Sequence, residues 1–184
     1  MYKRQLWDSK SFLQQKPEFF INVNVSAKQL ERPDFCRVVL ELLDKTEFPV
    51  RHLCLEITER CRSLPVSVIN ERMAVLRGYG IKFAMDDFGT GSSSSAMALE
   101  MLIDEIKIDM SFIRKILVNK KNKAIVQSMV DFANAANIKS CLEGVENKAL
   151  EDYLRTVGAT WFQGYYYSKP VGADELEILL SAKK

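Results

Sequence analysis

The sequence lacks any apolar stretch that approaches the roughly 20 residues needed to cross a bilayer, and its first residues lack a signal-peptide apolar region. An excess of one charge is also missing, since 26 basic and 24 acidic residues leave a net charge of +2. No strong overall field therefore steers the protein to nucleic acid or to an anionic membrane, and any anionic ligand must be held by local chemistry. We expect a cytoplasmic domain with no membrane segment and no nucleic acid polymer as partner.

Sequence motifs typical of zinc sites, disulfides and nucleotide-binding loops are also scarce. His52 is the only histidine, and the four cysteines, Cys36, Cys54, Cys61 and Cys141, form no C-x-x-C pair. A zinc site would need ligands that this sequence mostly lacks. Scattered cysteines in a chain of this size are typical of reduced core residues. The sequence also contains no P-loop and no G-x-G-x-x-G fingerprint.

What the sequence does contain is the pattern of one globular α/β domain. Its 184 residues are 47% hydrophobic and 27% charged, which is enough to bury a sizeable core. Apolar runs typical of parallel strands alternate with amphipathic, helix-like segments. We predict helices near residues 35–43, 66–77, 125–136, 148–157 and 174–180. We predict strands at residues 19–25, 52–58, 81–85, 103–108, 138–142 and 159–162.

Polar side chains lie at or just beyond the C-terminal end of every predicted strand. In a (β/α) barrel the C-terminal ends of the strands converge on one mouth, whereas an open doubly wound sheet would place them along a crevice. The barrel brings all six ends together more naturally, so we favour it. The residues at these ends are Asn24, Glu56, Glu59, Asp86, Asp87, Lys107, Asp109, Glu143, Glu146 and Gln163.

These oxygen-bearing side chains indicate a metal site, although each one alone could simply be solvated at the end of a strand. Carboxylates that converge in a partly buried site repel one another and lose hydration unless a cation compensates. Asparagine and carboxylate oxygens favour Mg²⁺ or Mn²⁺, and Asp86 with Asp87 could serve two neighbouring ions. Such a site suits hydrolysis of a phosphate ester, with Lys107 orienting the water or stabilising the transition state. A Schiff-base aldolase is the competing use of a barrel lysine, but it would not explain so many acids.

The loop that begins at Asp87 is rich in glycine and is followed by the four serines of residues 92–95. It could be an ordinary turn. Beside paired aspartates it could also gate a site, with Thr90 or a backbone N–H bonded to a nearby acid such as Glu59.

Taken in order, these motifs resemble the EAL-domain family from about residue 19 to the C-terminus. The resemblance implies a modified TIM-type (β/α)8 barrel that hydrolyses cyclic di-GMP to pGpG at a two-metal Mg²⁺ or Mn²⁺ site. The motifs are N-V-S at 24–26, L-E-I-T-E at 55–59, D-D-F-G-T-G at 86–91, I-K-I-D at 106–109, E-G-V-E at 143–146, and Q-G-Y at 163–165 with Lys169 and Pro170.

The resemblance also implies a role for each matching residue. Lys107 would contact the nucleophilic water, Glu143 would bind metal or that water, and Glu59 would anchor the loop that follows Asp87. Gln163 would help to complete the site. Ser92 stands where the family often has an aromatic residue, which affects the packing of the loop and any linked homodimer contact. The implied metal ligands are Asn24, Glu56, Asp86, Asp87 and Glu143.

The chain departs from the family at its beginning. The Glu-Ala-Leu motif that names the family, whose glutamate binds metal, is absent, and so is the arginine that follows it and meets substrate phosphate. We therefore interpret residues 6–184 as a partial EAL domain with about six of eight strands, lacking the first two. Residues 1–5 resemble a translated sequencing adaptor and are interpreted as a non-native leader.

Two further expectations follow from the resemblance and this departure. An upstream GGDEF or sensory domain would be common in this family, and the 184-residue chain alone should turn over weakly or not at all. The alternative is an inactive cyclic di-GMP receptor or a protein-interaction module on a degenerate barrel. The missing glutamate favours this alternative, whereas the otherwise complete set of polar residues argues against it.

Overall fold

The computed structural model of the chain describes residues 19–58, 65–91 and 94–182. The predicted leader at residues 1–5 lies outside these ranges, as do Glu59, Cys61 and Ser92. The described residues contain six strands in one sheet. The strands are β1 (Ile21–Val25), β2 (Leu53–Thr58), β3 (Lys82–Phe88), β4 (Glu105–Ile108), β5 (Lys139–Glu143) and β6 (Trp161–Gln163).

The sheet has the strand order of a barrel segment. All neighbouring strands are parallel, and their order in space, β1-β2-β3-β4-β5-β6, is their order in the chain. A doubly wound sheet reverses its order at a switch point, whereas a barrel adds each strand beside the last. The predicted α/β class and the six strands of a TIM-type barrel are therefore confirmed.

Helices connect the successive strands, as parallel pairing requires. All five predicted helices are present. Three short ones were not predicted, at 27–31, 94–100 and 110–113, because four to seven residues show too little periodicity. The helices are α1 (Ala27–Glu31), α2 (Phe35–Thr46), α3 (Val66–Gly78), α4 (Ser94–Glu100), α5 (Met110–Ile113), α6 (Lys120–Ala135), α7 (Lys148–Arg155) and α8 (Ala173–Ala182), with a 3-10 turn at Val50–His52.

The observed strands begin one or two residues later than predicted, and three of them (β3, β5 and β6) end later as well. Ile81, Ile103 and Ile138 open three of the predicted runs and are buried, but each precedes the first strand residue. The side chains of these three isoleucines pack in the hydrophobic core, although none of the three is a strand residue. The sequence pattern therefore predicted which residues are buried more accurately than it predicted where each strand begins.

The core lies between the central strands and the helices. Phe83, Met85 and Ile106 of the sheet are fully buried, as are Met73 of α3 and Val130 of α6. The two outer strands differ, because β1 pairs only with β2, and β6 only with β5, among the described strands. Each central strand therefore has a neighbouring strand on either side, and the candidate functional groups on these strands are largely shielded from water.

Candidate functional site

The candidate site is centred on Lys107, which β4 places beside carboxylates from three other strands. The Lys107 Nζ lies 2.8 Å from Glu56 Oε1 on β2 and 2.8 Å from Glu143 Oε1 on β5. It lies 3.4 Å from Asp86 Oδ1 on β3. Only 5% of the Lys107 side chain and 6% of the Glu56 side chain are exposed. Four of the residues predicted from the sequence therefore meet in one buried cluster, which we call the Lys107 cluster.

Charge in the Lys107 cluster is unbalanced, because three carboxylates surround one ammonium. Burial lowers the pKa of Lys107, but hydrogen bonds to Glu143 and Glu56 outweigh this effect and raise the pKa above its usual value. Burial raises the pKa of Glu143, and the hydrogen bond from Lys107 only partly opposes that change. Lys107 is therefore a permanent cation that donates hydrogen bonds, and the site has an excess of negative charge.

The backbone of β3 has a feature that suits consecutive aspartates. The pairing of β3 with β4 shifts register between Met85 and Phe88, and Asp87 has a left-handed φ of 55°. In a regular strand Asp86 and Asp87 would point to opposite faces. A bulge with a left-handed residue re-aims a side chain, which is what two adjacent carboxylates need if both are to serve one site. This bulge was not predicted from the sequence, which placed both aspartates beyond the end of the strand.

Asn24 and Gln163 lie on the two outer strands, beside members of the Lys107 cluster. Asn24 is exposed on β1 and is paired in register with Glu56 on β2. Gln163 is exposed on β6 and is paired in register with Glu143. Thr90 donates its hydroxyl to the carbonyl of Asp87 at 2.9 Å. The expected contact with Glu59 lies outside the described residues, so that anchoring role stays a prediction.

Two glycines of the predicted motifs are needed for close backbone approach. A Cβ on Gly164 would lie 2.1 Å from the carbonyl oxygen of Val145, and a Cβ on Gly144 would lie 2.6 Å from Cβ of Met110. Gly144 also has a φ of +76°, which disfavours a side chain. The N–H of Val145 donates to the carbonyl of Gln163 at 3.0 Å. The glycines therefore hold the ends of β5 and β6 against each other beside Glu143.

Sequence reasoning missed two residues that contact or surround the Lys107 cluster. Asn22 donates its amide to Glu56 Oε1 at 2.8 Å, so Lys107 and Asn22 share one oxygen of that carboxylate. Glu105 lies on β4, and burial raises its pKa to about 7, an effect that Lys107 partly opposes. Each lies two residues before a predicted site residue, Asn24 or Lys107. The period of two in a strand could have identified both.

The donor set of the Lys107 cluster is not arranged around a cation site, but its chemistry fits divalent cations. Within the described ranges, no three Asp, Glu, His or Cys side chains are grouped as a ready cation site. The carboxylates surround the Lys107 ammonium instead. Their chemistry nevertheless fits, because hard oxygen donors with excess negative charge suit Mg²⁺ or Mn²⁺. Asn22 and Lys107 both donate to Glu56 Oε1.

Comparison with known proteins places this architecture in a family. The family model described as EAL domain matches residues 2–170. The probable cyclic di-GMP phosphodiesterase PdeG of Escherichia coli is 36% identical over 170 residues, which cover 90% of this chain and 33% of that protein. The chain belongs to the EAL domain family, as its motifs indicate.

Solved structures agree with this assignment. The EAL domain of Mycobacterium smegmatis DcpA has a TM-score of 0.90 at 27% identity, covering 100% of this chain and 81% of that one. Klebsiella pneumoniae BlrP1, solved as a manganese and cyclic di-GMP complex, has a TM-score of 0.75 at 27% identity, covering 92% of this chain and 45% of that one. The chain spans about a quarter to a third of the length of the first curated relatives that it matches. None of the helices within the described ranges combines the length and apolar character of a membrane span.

Proposed function

We propose that this chain is the core of a metal-dependent phosphodiesterase that hydrolyses cyclic di-GMP to pGpG. The observation that carries the proposal is the Lys107 cluster, in which Glu56, Asp86 and Glu143 from three strands meet one buried lysine. Family membership supports the substrate, because PdeG of E. coli is named a probable cyclic di-GMP phosphodiesterase. The chain covers only part of such relatives, so activity and substrate are inferences for this protein.

We assign Mg²⁺ or Mn²⁺ to the oxygen donors at the C-terminal ends of the strands. When bound, such ions lower the pKa of a water molecule and neutralise charge on phosphoryl oxygens. The excess negative charge of the Lys107 cluster supports this assignment, as does the bulge in β3 with its left-handed Asp87. The proposed ligands are Asn24, Glu56, Asp86, Asp87 and Glu143.

The proposed role of Lys107 follows from its charge state. Hydrogen bonds to Glu143 and Glu56 raise its pKa, so it keeps its proton at neutral pH and cannot act as a general base. It can donate a hydrogen bond to the attacking water and stabilise negative charge on the phosphate. Glu143 is the better proton acceptor or water ligand, because burial raises its pKa.

Several finer assignments extend the same proposal. Gln163 completes the site from β6, and Glu59 anchors the loop after Asp87. A homodimer, an upstream GGDEF or sensory domain, and a cytoplasmic location belong to the proposed full-length protein.

The decisive experiment compares two proteins with cyclic di-GMP and Mn²⁺, using chromatographic detection of pGpG. One is the 184-residue chain, and the other carries an added segment with the Glu-Ala-Leu motif. We expect weak or no turnover from the first and full turnover from the second, since a missing ligand lowers metal affinity and misplaces the ions. Glu56→Gln in the extended protein should abolish product, and exposed Glu41→Gln should not. An inactive extended protein would overturn the enzyme assignment.

A cyclic di-GMP receptor is the second candidate, because the 184 residues contain no Glu-Ala-Leu motif. Isothermal titration with and without Mn²⁺ separates the two candidates. Tight binding that needs no metal and gives no product identifies a receptor, whereas metal-dependent binding followed by pGpG release identifies the enzyme.

A further inference from the structure

A second charged region lies on the surface, in the turn between α5 and α6. Residues 110–130 contain no acidic residue, yet they include five basic ones: Arg114, Lys115, Lys120, Lys121 and Lys123. All but Lys123 are exposed. We call residues 114–121 the basic turn. Its local positive charge contrasts with the near-neutral balance of the whole chain.

Most cations of the basic turn differ from the surface cations that pair with a neighbouring acid. Arg37 pairs with Glu41 at 2.7 Å, and Arg77 pairs with Asp104 at 2.7 Å. By contrast, Lys115, Lys120 and Lys121 form no ion pair with any residue in the described ranges. Arg114 comes only within 3.9 Å of Glu146, at the limit of an ion pair. The positive charge of this turn is therefore available to an external anion.

Two large aliphatic side chains are exposed among these cations. Val118 is 86% exposed and Leu117 is 42% exposed, whereas the adjacent Ile113 and Ile116 are fully buried. The buried isoleucines fix the turn to the core and leave Leu117 and Val118 projecting from it. Exposed aliphatic groups flanked by exposed cations match the surface of an anionic bilayer, which has negative headgroups with apolar chains just beneath them.

We propose that the basic turn docks this protein on an anionic lipid bilayer. Arg114, Lys115, Lys120 and Lys121 would contact the headgroups, while Leu117 and Val118 would enter the interfacial region. Nucleic acid fits less well, because single-strand sites stack bases on aromatic side chains and residues 114–121 include none. The proposal concerns a surface outside the Lys107 cluster and does not depend on hydrolysis.

The position of the basic turn determines which part of the protein docking would bring close to the membrane. Asp109 follows β4 directly and caps α5, its Oδ1 accepting from the Ser111 N–H at 2.9 Å. The basic turn therefore lies at the same end of the sheet as Lys107. A docked chain would hold its candidate site close to the membrane surface.

Vesicle co-sedimentation of the full chain tests the proposal. The vesicles contain phosphatidylcholine, either alone or mixed with phosphatidylglycerol. We expect binding only to the mixed vesicles, with loss of binding at about 0.5 M salt, where screening acts over a few ångströms. Lys120→Glu with Lys121→Glu should lower the partition coefficient at least about tenfold. Leu117→Ser with Val118→Ser should lower it several-fold and leave the remaining binding sensitive to salt.

The matched control is Lys28→Glu with Lys45→Glu, which makes the same change in net charge at exposed lysines of α1 and α2. This control should bind as the parent chain does, and circular dichroism should show that all variants are folded. Equal binding to phosphatidylcholine alone, or equal loss in the control, would overturn the proposal. So would binding of a single-stranded oligonucleotide through Lys120 and Lys121 without binding to vesicles.

Discussion

The central strands and the β1 edge carry similar polar residues in very different surroundings. Glu56 on β2 and Lys107 on β4 are buried, whereas Asn22 and Asn24 on β1 are exposed. Asn24 is nevertheless the register partner of Glu56 on the neighbouring strand. The difference arises because β2 to β5 have a strand on each side, while β1 has one only.

This contrast indicates where polar groups contribute most to the stability of the fold. Charges in the centre have lost water and must be balanced by one another, so removing one partner is costly. Polar groups at the edge keep their water and can be replaced at little cost. Substitutions that change a charge on the central strands should therefore change the stability of the fold. Substitutions on the edge strand β1 should mainly change ligand binding.

The largest effect is expected for Lys107→Met. This change leaves Glu56, Asp86 and Glu143 together without their cation, so the free energy of unfolding should fall by about 3–5 kcal/mol. Urea denaturation monitored by circular dichroism measures the change. Mn²⁺ should recover part of the loss, since it supplies positive charge to the same carboxylates. Exposed Lys28→Met is the control, and an equally small loss in both variants would contradict the contrast.

An intermediate, pH-dependent effect is expected for Glu105→Gln. Burial raises the pKa of Glu105 from 4.5 to about 7. Between these values the folded chain keeps a proton that the unfolded chain has released, so this carboxyl lowers stability as pH rises. Between pH of about 5 and about 8, the variant should gain about 1–3 kcal/mol relative to the parent chain. Urea titrations at both pH values measure this gain, and exposed Glu100→Gln should show none.

The smallest changes in stability are expected for substitutions of the two asparagines on β1. Asn22→Ala removes the hydrogen bond to Glu56 and should cost about 1 kcal/mol of stability, whereas Asn24→Ala should cost less than about 0.5 kcal/mol. Calorimetric titration with Mn²⁺ should reverse this order, because Asn24 is the proposed ligand and Asn22 only positions Glu56. The assignment fails if Asn24→Ala binds Mn²⁺ as the parent chain does while Asn22→Ala does not.

Much of the fold could be predicted because its signals are local. Apolar runs located all six strands, and amphipathic periodicity located the five longer helices. Glu56, Asp86, Lys107 and Glu143 were predicted together because each lies at or just beyond the C-terminal end of a predicted strand. Asn22 and Glu105 were missed because only their strand face, and not a motif, connects them with the site. The left-handed Asp87 could not be predicted, since the same letters also suit a plain turn after the strand.

Local patterns and motif order in the sequence were enough to establish the α/β class, the family and the residues at the end of each strand. The folded structure was needed to show that Lys107 is the cation shared by three carboxylates and that Asn24 lies at an exposed edge. It was also needed to show that Lys115, Lys120 and Lys121 form no ion pair within the described ranges. These properties depend on distances between segments far apart in the chain and on how much water remains around each charge.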